Sequence, residues 1–502
     1  MSPTGVGPPL DSAALRPIAT RAPTILAGLL AAGAGLFALL AAHRIGWLPV
    51  LLVLVAVAVA LLLLERPGLL VGALVVLTVL VEGRDAAAIF PDAAAIYEPA
   101  AGGVVPIEVL TLLALVAVAI AVVRRRELVL PEPLTLPLSL LAVAIVFGLT
   151  MGYFDGAPVG DVLAVLRKLL NVLIFPLVVV NVVRTRDQLR LAVTIVVALA
   201  LIKALLGVAS VVGGFGFTST ESAGATTVLT YYESTANWVL TLFVMGFVAA
   251  LSTRARMPWW AWTTAPLALA SLLLSYRRSF WIGTSVGLVL VILLGSGRFG
   301  RRIVLPLIVV VGVGLALTLS GHVVTEEQSP LIKRAQSLDP GKLQANKEDR
   351  YRIDERRNVL ADIGDHPLTG VGIARGWHER YPVSIERKGS RDYVHFVALW
   401  YWLHLGILGL AAYLWLFAAA IYAGYRLWRQ RTEPWLRAIG LGFVGSLAAL
   451  MIAETTASFT GIELRASIVV GAALGLLAAA RRIAGQEAKA QGETAAASAS
   501  IE

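Results

Sequence analysis

Apolar runs long enough to cross a bilayer recur from one end of this 502-residue chain to the other. A run of about 20 predominantly apolar residues reads as a membrane helix. By that rule roughly fourteen spans are expected, near 24–42, 46–64, 68–83, 105–123, 137–154, 162–183, 189–213, 236–252, 259–276, 279–296, 303–321, 396–424, 437–455 and 465–480. Only 15% of the residues are charged, against about 25% in a soluble protein. The expected fold class is therefore all-α and polytopic, with a long polar loop between the eleventh and twelfth helices.

The formal net charge is +10, which in a soluble protein would raise the question of nucleic acid. Here most basic residues stand in short clusters between apolar runs, such as Arg124-Arg125-Arg126, Arg184-Thr185-Arg186, Arg254-Ala255-Arg256 and Arg481-Arg482. With the N-terminus inside, nearly all of these clusters fall on the cytoplasmic side, as the positive-inside rule requires. The lipid bilayer is the expected partner, and nucleic acid is not. There is no cysteine, which excludes disulfides, thiolate metal sites and a cysteine nucleophile.

Residues 1–23 read as a disordered cytoplasmic tail with no removable signal peptide, and 24–321 as a transmembrane scaffold. Residues 322–395 form the polar extracytoplasmic loop, 396–480 the C-terminal helices, and 481–502 a second disordered cytoplasmic tail. Residues 214–235 are an outer segment rich in Gly, Ser and Thr that reads as a flexible sugar-facing loop or simply a linker.

Two places depart from the charge rule. Arg277-Arg278 sits in a tight connection on the outer side, and the loop at 322–395 carries both signs of charge. A long loop crosses regardless of charge, but an arginine pair that opposes the orientation signal is expected to be either a functional site or two side chains that snorkel to lipid phosphates. Arginine presents a planar fork that grips phosphate oxygens, so a phosphorylated lipid suits that position. Five of the six histidines follow residue 321. Residues 351–364 have helical spacing, with Ile353, Val359, Leu360 and Ile363 as an apolar face. His366-Pro367 is expected to end that helix, because the residue before proline avoids the helical region. Gly370, Gly372 and Gly376 follow as a turn that permits close backbone approach. His395 stands where the loop meets the membrane, and His404 lies inside the next span, where a histidine faces a polar interior. No HxxxH or HxH spacing is present, so no metal site is expected.

The order of these features resembles the O-antigen ligase and polymerase superfamily of bacterial membrane glycosyltransferases. The matching residues are Tyr276-Arg277-Arg278-Ser279-Phe280-Trp281, then Arg352 followed fourteen residues later by His366-Pro367-Leu368-Thr369-Gly370-Val371-Gly372, then His395 and Gly406-Ile407-Leu408-Gly409-Leu410. Three positions depart from the family pattern: Phe396 where asparagine is usual, Arg356 where tryptophan is frequent, and His404 where an acidic residue is common.

The resemblance implies a GT-C-like fold whose loop at 322–395 is catalytic, working at the outer face of the bacterial cytoplasmic membrane. It implies a donor glycan on a polyprenyl pyrophosphate carrier, an acceptor hydroxyl on a glycan, lipid or protein, and no metal or other cofactor. Within that expectation Arg278 and Arg352 stabilise the leaving pyrophosphate, assisted by Arg277 and Arg167, and His395 takes the acceptor proton. His366, Gly370, Gly372, Arg356 and His404 are expected to line the substrate. A polysaccharide polymerase of the same superfamily is the alternative. A transporter or flippase of lipid-linked glycan is the alternative from another class.

Overall fold

The structure is a computed structural model, and it describes residues 65–81, 95–97, 105–213, 217–219, 227–229, 234–295, 347–385, 391–430 and 433–499. The chain divides into two compact units, residues 1–66 and 67–502, and every described helix belongs to the second. The spans expected at 24–42, 46–64 and 303–321, the tail at 1–23 and the first part of the polar loop lie outside the described residues.

Twelve helices occur among the described residues: α1 (Pro67–Leu80), α2 (Pro106–Arg125), α3 (Thr135–Phe154), α4 (Val159–Val182), α5 (Arg186–Val212), α6 (Ser234–Thr253), α7 (Trp259–Leu273), α8 (Arg278–Gly295), α9 (Lys347–Asp365), α10 (Val397–Arg429), α11 (Pro434–Ala453) and α12 (Leu464–Ala499). Nine of these are long and apolar enough to cross a membrane; α1, α7 and α9 are the others. A backbone inside lipid must satisfy its own N–H and C=O groups, and a helix does so within one segment. The described residues also include a single 3-10 turn at 95–97 and a short antiparallel pair, β1 (Phe217–Ser219) with β2 (Thr227–Leu229), in register Phe217 to Leu229. The pair falls inside the segment expected as a flexible loop or linker.

Helix α11 is the hub, packed against α6, α8 and α10, while α12 lies along α4. Small residues bring these backbones close, the usual means of packing helices where lipid removes the hydrophobic drive. A Cβ on Gly424 of α10 would meet the carbonyl of Gly440 on α11 at 2.7 Å, and one on Gly283 of α8 would meet Ala449 O at 2.4 Å. Helix α12 runs on to Ala499, through most of the segment expected as a C-terminal tail, in a stretch rich in alanine, the strongest helix former.

Helix α9 forms where the 351–364 periodicity placed it and ends at Asp365, directly before His366-Pro367. Its buried face differs from the expected one. Val359 and Ile363 are buried, but Ile353 and Leu360 are about half exposed. The face turned inward is Tyr351, Glu355, Asn358, Val359, Asp362 and Ile363. Its polar members are buried because each is bonded. The Asn358 carbonyl oxygen accepts from Arg380 N and Tyr381 N, both at 2.7 Å. Asp362 accepts from His378 N at 2.7 Å and from the Arg380 guanidinium at 3.0 Å. The inner face of α9 thereby fastens the chain that follows it.

The HPLTGVG turn is held as firmly. Helix α10 breaks at Gly406, whose φ of 66° and ψ of −168° belong to glycine. The turn docks into this break: Val371 N donates to Leu403 O at 2.6 Å, Ile407 N to Leu368 O at 3.2 Å, and the Trp402 indole to Pro367 O at 2.8 Å. On the other side Ile373 N donates to Gly148 O of α3 at 2.9 Å. A Cβ on Gly406 would stand 2.1 Å from Leu368 O. Gly406→Ala is therefore expected to destabilise the protein by more than the roughly 1–3 kcal/mol of the backbone strain alone. A thermal melt of the detergent-purified variant checks this, and an unchanged Tm would contradict the docking of the turn into the break.

Candidate active site

The connection between α7 and α8 turns through Tyr276, which takes a left-handed φ of 53°. Trp281 braces it by donating from its indole to Leu272 O at 2.9 Å. The turn delivers Arg278 as the first residue of α8, with its side chain buried. A buried guanidinium needs a counter-charge, and α9 supplies it. Asp349 accepts from Arg278 Nη2 through Oδ1 at 2.6 Å and Oδ2 at 2.8 Å. One helical turn on, Arg352 Nη1 lies 3.7 Å from the same Oδ1. One buried carboxylate thus fixes the spacing of the two arginines that the motifs singled out.

A second buried carboxylate lies one turn further along α9. Glu355 is 2% exposed. Its two oxygens stand 3.0 and 2.9 Å from His395 Nδ1, and it also accepts from His395 N at 2.9 Å. A carboxylate only accepts, so Nδ1 carries the proton; in the neutral ring, Nε2 is then left as the basic nitrogen. Tyr351 and Tyr393 stand edge-on to the imidazole, with ring centroids 5.9 and 4.9 Å away. The Tyr393 hydroxyl is pushed well above its ordinary range, first by burial and then by the charge of Glu463, against a backbone N–H from Ser458 and the charge of Arg277. It stays protonated across physiological pH.

The connection between α11 and α12 closes the third side. The Ser458 hydroxyl donates to Val394 O, and Phe459 stacks on Phe280 of α8 at 5.5 Å. Glu454 is fully enclosed, accepting from Thr460 N at 2.8 Å and from the Tyr413 hydroxyl at 2.5 Å, while its carbonyl caps Val397 N at 3.1 Å. It holds the start of α10, and with it His395, in place.

The other expected site residues are distributed differently. Arg277 acts electrostatically on Tyr393, beside His395. Arg167 is partly exposed and pairs with Glu108 of α2 at 2.9 Å. Its neighbour Lys168 is within electrostatic reach of Asp392 and Glu463. His366 is exposed at the end of α9. Gly370 and Gly372 are pressed against the backbones of α10 and α3; a Cβ on either would meet a backbone atom within 2.5 Å. His404 is fully buried, with Nδ1 3.0 Å from Gly372 O and Nε2 3.0 Å from Asp392 O. The geometry thus gives these two glycines and His404 a packing role, joining the HPLTGVG turn to the segment that carries His395. Arg356 sits over the ring of Phe396 at 5.1 Å. These two departures from the family pattern are therefore in contact.

Sequence reasoning missed Asp349 and Glu355. The signal was their i,i+3 spacing to Arg352, which places three charged groups along one side of α9. Among the described residues no group of three or more histidines and carboxylates is arranged to hold a metal ion.

Taken together, the apolar helices and the enclosed polar cluster define a multi-pass membrane protein with a charged site where α8, α9, α10 and the α11–α12 connection meet. Residues 263–414 match the family model described as O-Antigen ligase, which supports the O-antigen ligase and polymerase superfamily for this chain. The matched segment contains Arg277, Arg278, Asp349, Arg352, Glu355, His366 and His395. The comparison with curated proteins returned no match.

Proposed function

We propose that this protein is a membrane glycosyltransferase of the O-antigen ligase type. It moves a glycan from a polyprenyl pyrophosphate carrier to an acceptor hydroxyl at the extracytoplasmic face of the bacterial cytoplasmic membrane. The observation that supports this reading most is the joining, on one helix, of a leaving-group site to a base. Through Asp349, α9 holds Arg278 and Arg352 together, and through Glu355 it orients His395.

The acceptor oxygen attacks the anomeric carbon as its proton passes to His395 Nε2. The bond from that carbon to the pyrophosphate oxygen breaks, and the pyrophosphate leaves with the electron pair. Arg278 and Arg352, with Arg277 assisting, offset the charge that develops on it. Glu355 retains the proton of Nδ1 in its hydrogen bond and stabilises the imidazolium. A direct displacement of this kind inverts the anomeric centre and requires no metal.

Purified protein in nanodiscs, incubated with polyprenyl-pyrophosphate-linked glycan, extracted acceptor and EDTA, is expected to release polyprenyl pyrophosphate. Arg352→Ala is expected to lower that release about 100-fold or more. The mass of the product separates a ligase, which adds the glycan to a different acceptor, from a polymerase, which lengthens the glycan. Passage of the intact carrier across liposomes without release would replace this reading with a transporter.

A further inference from the structure

The opposite end of the bundle carries a second cluster of cations that the transfer chemistry does not use. Helix α11 has 20 residues and ends at Ala453, directly before Glu454 beside the site. At 1.5 Å per residue its start lies about 30 Å away. Helices α5 and α7 also begin at that end. Between these three helix starts lies a cleft of about 710 Å³ whose lining includes Arg186, Arg190, Arg254, Arg256 and Trp435. Glu433 is the one carboxylate among its described lining residues.

The cleft has a built interior. The guanidiniums of Arg186 and Arg190 lie over the Trp435 ring at 5.6 and 5.4 Å. Arg186 also pairs with Glu433, and with Glu487 of α12 at 3.7 Å. One wall is apolar: Val193 and Val197 continue the lining along α5, a helix long and apolar enough to cross a membrane.

We propose that this cleft binds the phosphate headgroup of an anionic membrane lipid, with its acyl chains running along Val193 and Val197. Arg186 is paired with Glu433 and Glu487, and Arg190 with Asp187 at 3.9 Å, so four guanidiniums meet three carboxylates and the excess positive charge rests on Arg254 and Arg256. Arginine forks match the oxygens of a phosphodiester, and the helix starts of α5, α7 and α11 add the positive ends of their dipoles. Trp260 and Trp435 suit the interfacial level at which a headgroup sits. The apolar wall is what favours a lipid over a free phosphate, because a soluble anion gains nothing from it.

The test uses the full-length protein, stripped of lipid in detergent, mixed with dioleoyl phosphatidylglycerol or dioleoyl phosphatidylcholine, and read by native mass spectrometry. Phosphatidylglycerol is expected to be retained in preference. The double variant Arg190→Gln/Arg256→Gln is expected to retain it roughly tenfold more weakly. Arg124→Gln/Arg125→Gln, a basic pair at the same end on α2, is expected to behave as the parent. If the double variant loses its parental Tm, Arg256→Gln alone carries the test, with a smaller loss in the same direction. Equal retention of both lipids, or equal loss in both variant pairs, overturns the proposal. Displacement of the lipid by millimolar inorganic phosphate, with the headgroup alone competing as well as the whole lipid, also overturns it and assigns the cleft to a free phosphate.

Discussion

Glu355→Gln is expected to lower transfer by about 10²–10⁴-fold, the usual contribution of a positioned acid–base group. The substitution keeps the volume of the side chain. It also leaves a carbonyl oxygen able to accept from His395 N, so the variant should insert and fold. What it changes is the partner of His395 Nδ1. At 2.9–3.0 Å both carboxylate oxygens accept from that nitrogen. An amide can instead turn its NH₂ toward Nδ1, which then becomes the acceptor and leaves the proton on Nε2. The ring would present a hydrogen to the acceptor hydroxyl where a lone pair is required. If the two residues act as one unit, adding His395→Ala to Glu355→Gln should cost little beyond either change alone. The measurement is the initial rate of polyprenyl pyrophosphate release from the single and double variants, normalised to purified protein. A full rate for Glu355→Gln, or fully additive losses, would remove Glu355 from the mechanism.

That Glu355 had to be found in the structure shows where a sequence stops being readable. Membrane helices announce themselves by length and hydropathy, and every expected span that falls on described residues overlaps a helix. His366-Pro367 ended α9 for a reason local to two residues. The inner face of α9 has no such local signature. Glu355, Asn358 and Asp362 look like the solvated side of an amphipathic helix until their partners, His395, Tyr381 and Arg380, are brought in from residues up to 40 positions away. The glycines of the HPLTGVG turn were legible as glycines needed for close approach, but not which backbones they approach. Arg356 and Phe396 give the same lesson. Each departs from the family pattern singly, and only the fold shows the guanidinium lying over the ring.

Arg278→Ala should reduce turnover by about 10²–10³-fold or more, the scale seen when one group that stabilises developing negative charge is removed. Arg278→Lys should recover only part of it. The lysine restores a positive charge near Asp349 but not the fork. An ammonium is a single compact point charge that cannot reproduce the planar set of donors. Asp349 still has Arg352 at 3.7 Å in either variant, but that pair lies within α9, so only the lysine variant can still pair α9 with α8 through Asp349. This separates two explanations that one alanine variant would confuse. If Arg278 mattered only for docking α9, lysine would restore both the Tm and the rate together. If it offsets leaving-group charge, lysine should restore the Tm more fully than the rate, with the deficit in kcat rather than KM. Raising ionic strength should leave the parent rate largely unchanged, because the pair between Arg278 and Asp349 is buried and screened little by salt. A lysine variant with the parent's kcat would place the stabilising charge on another residue, and Arg277, whose charge acts on Tyr393, would be the first to substitute.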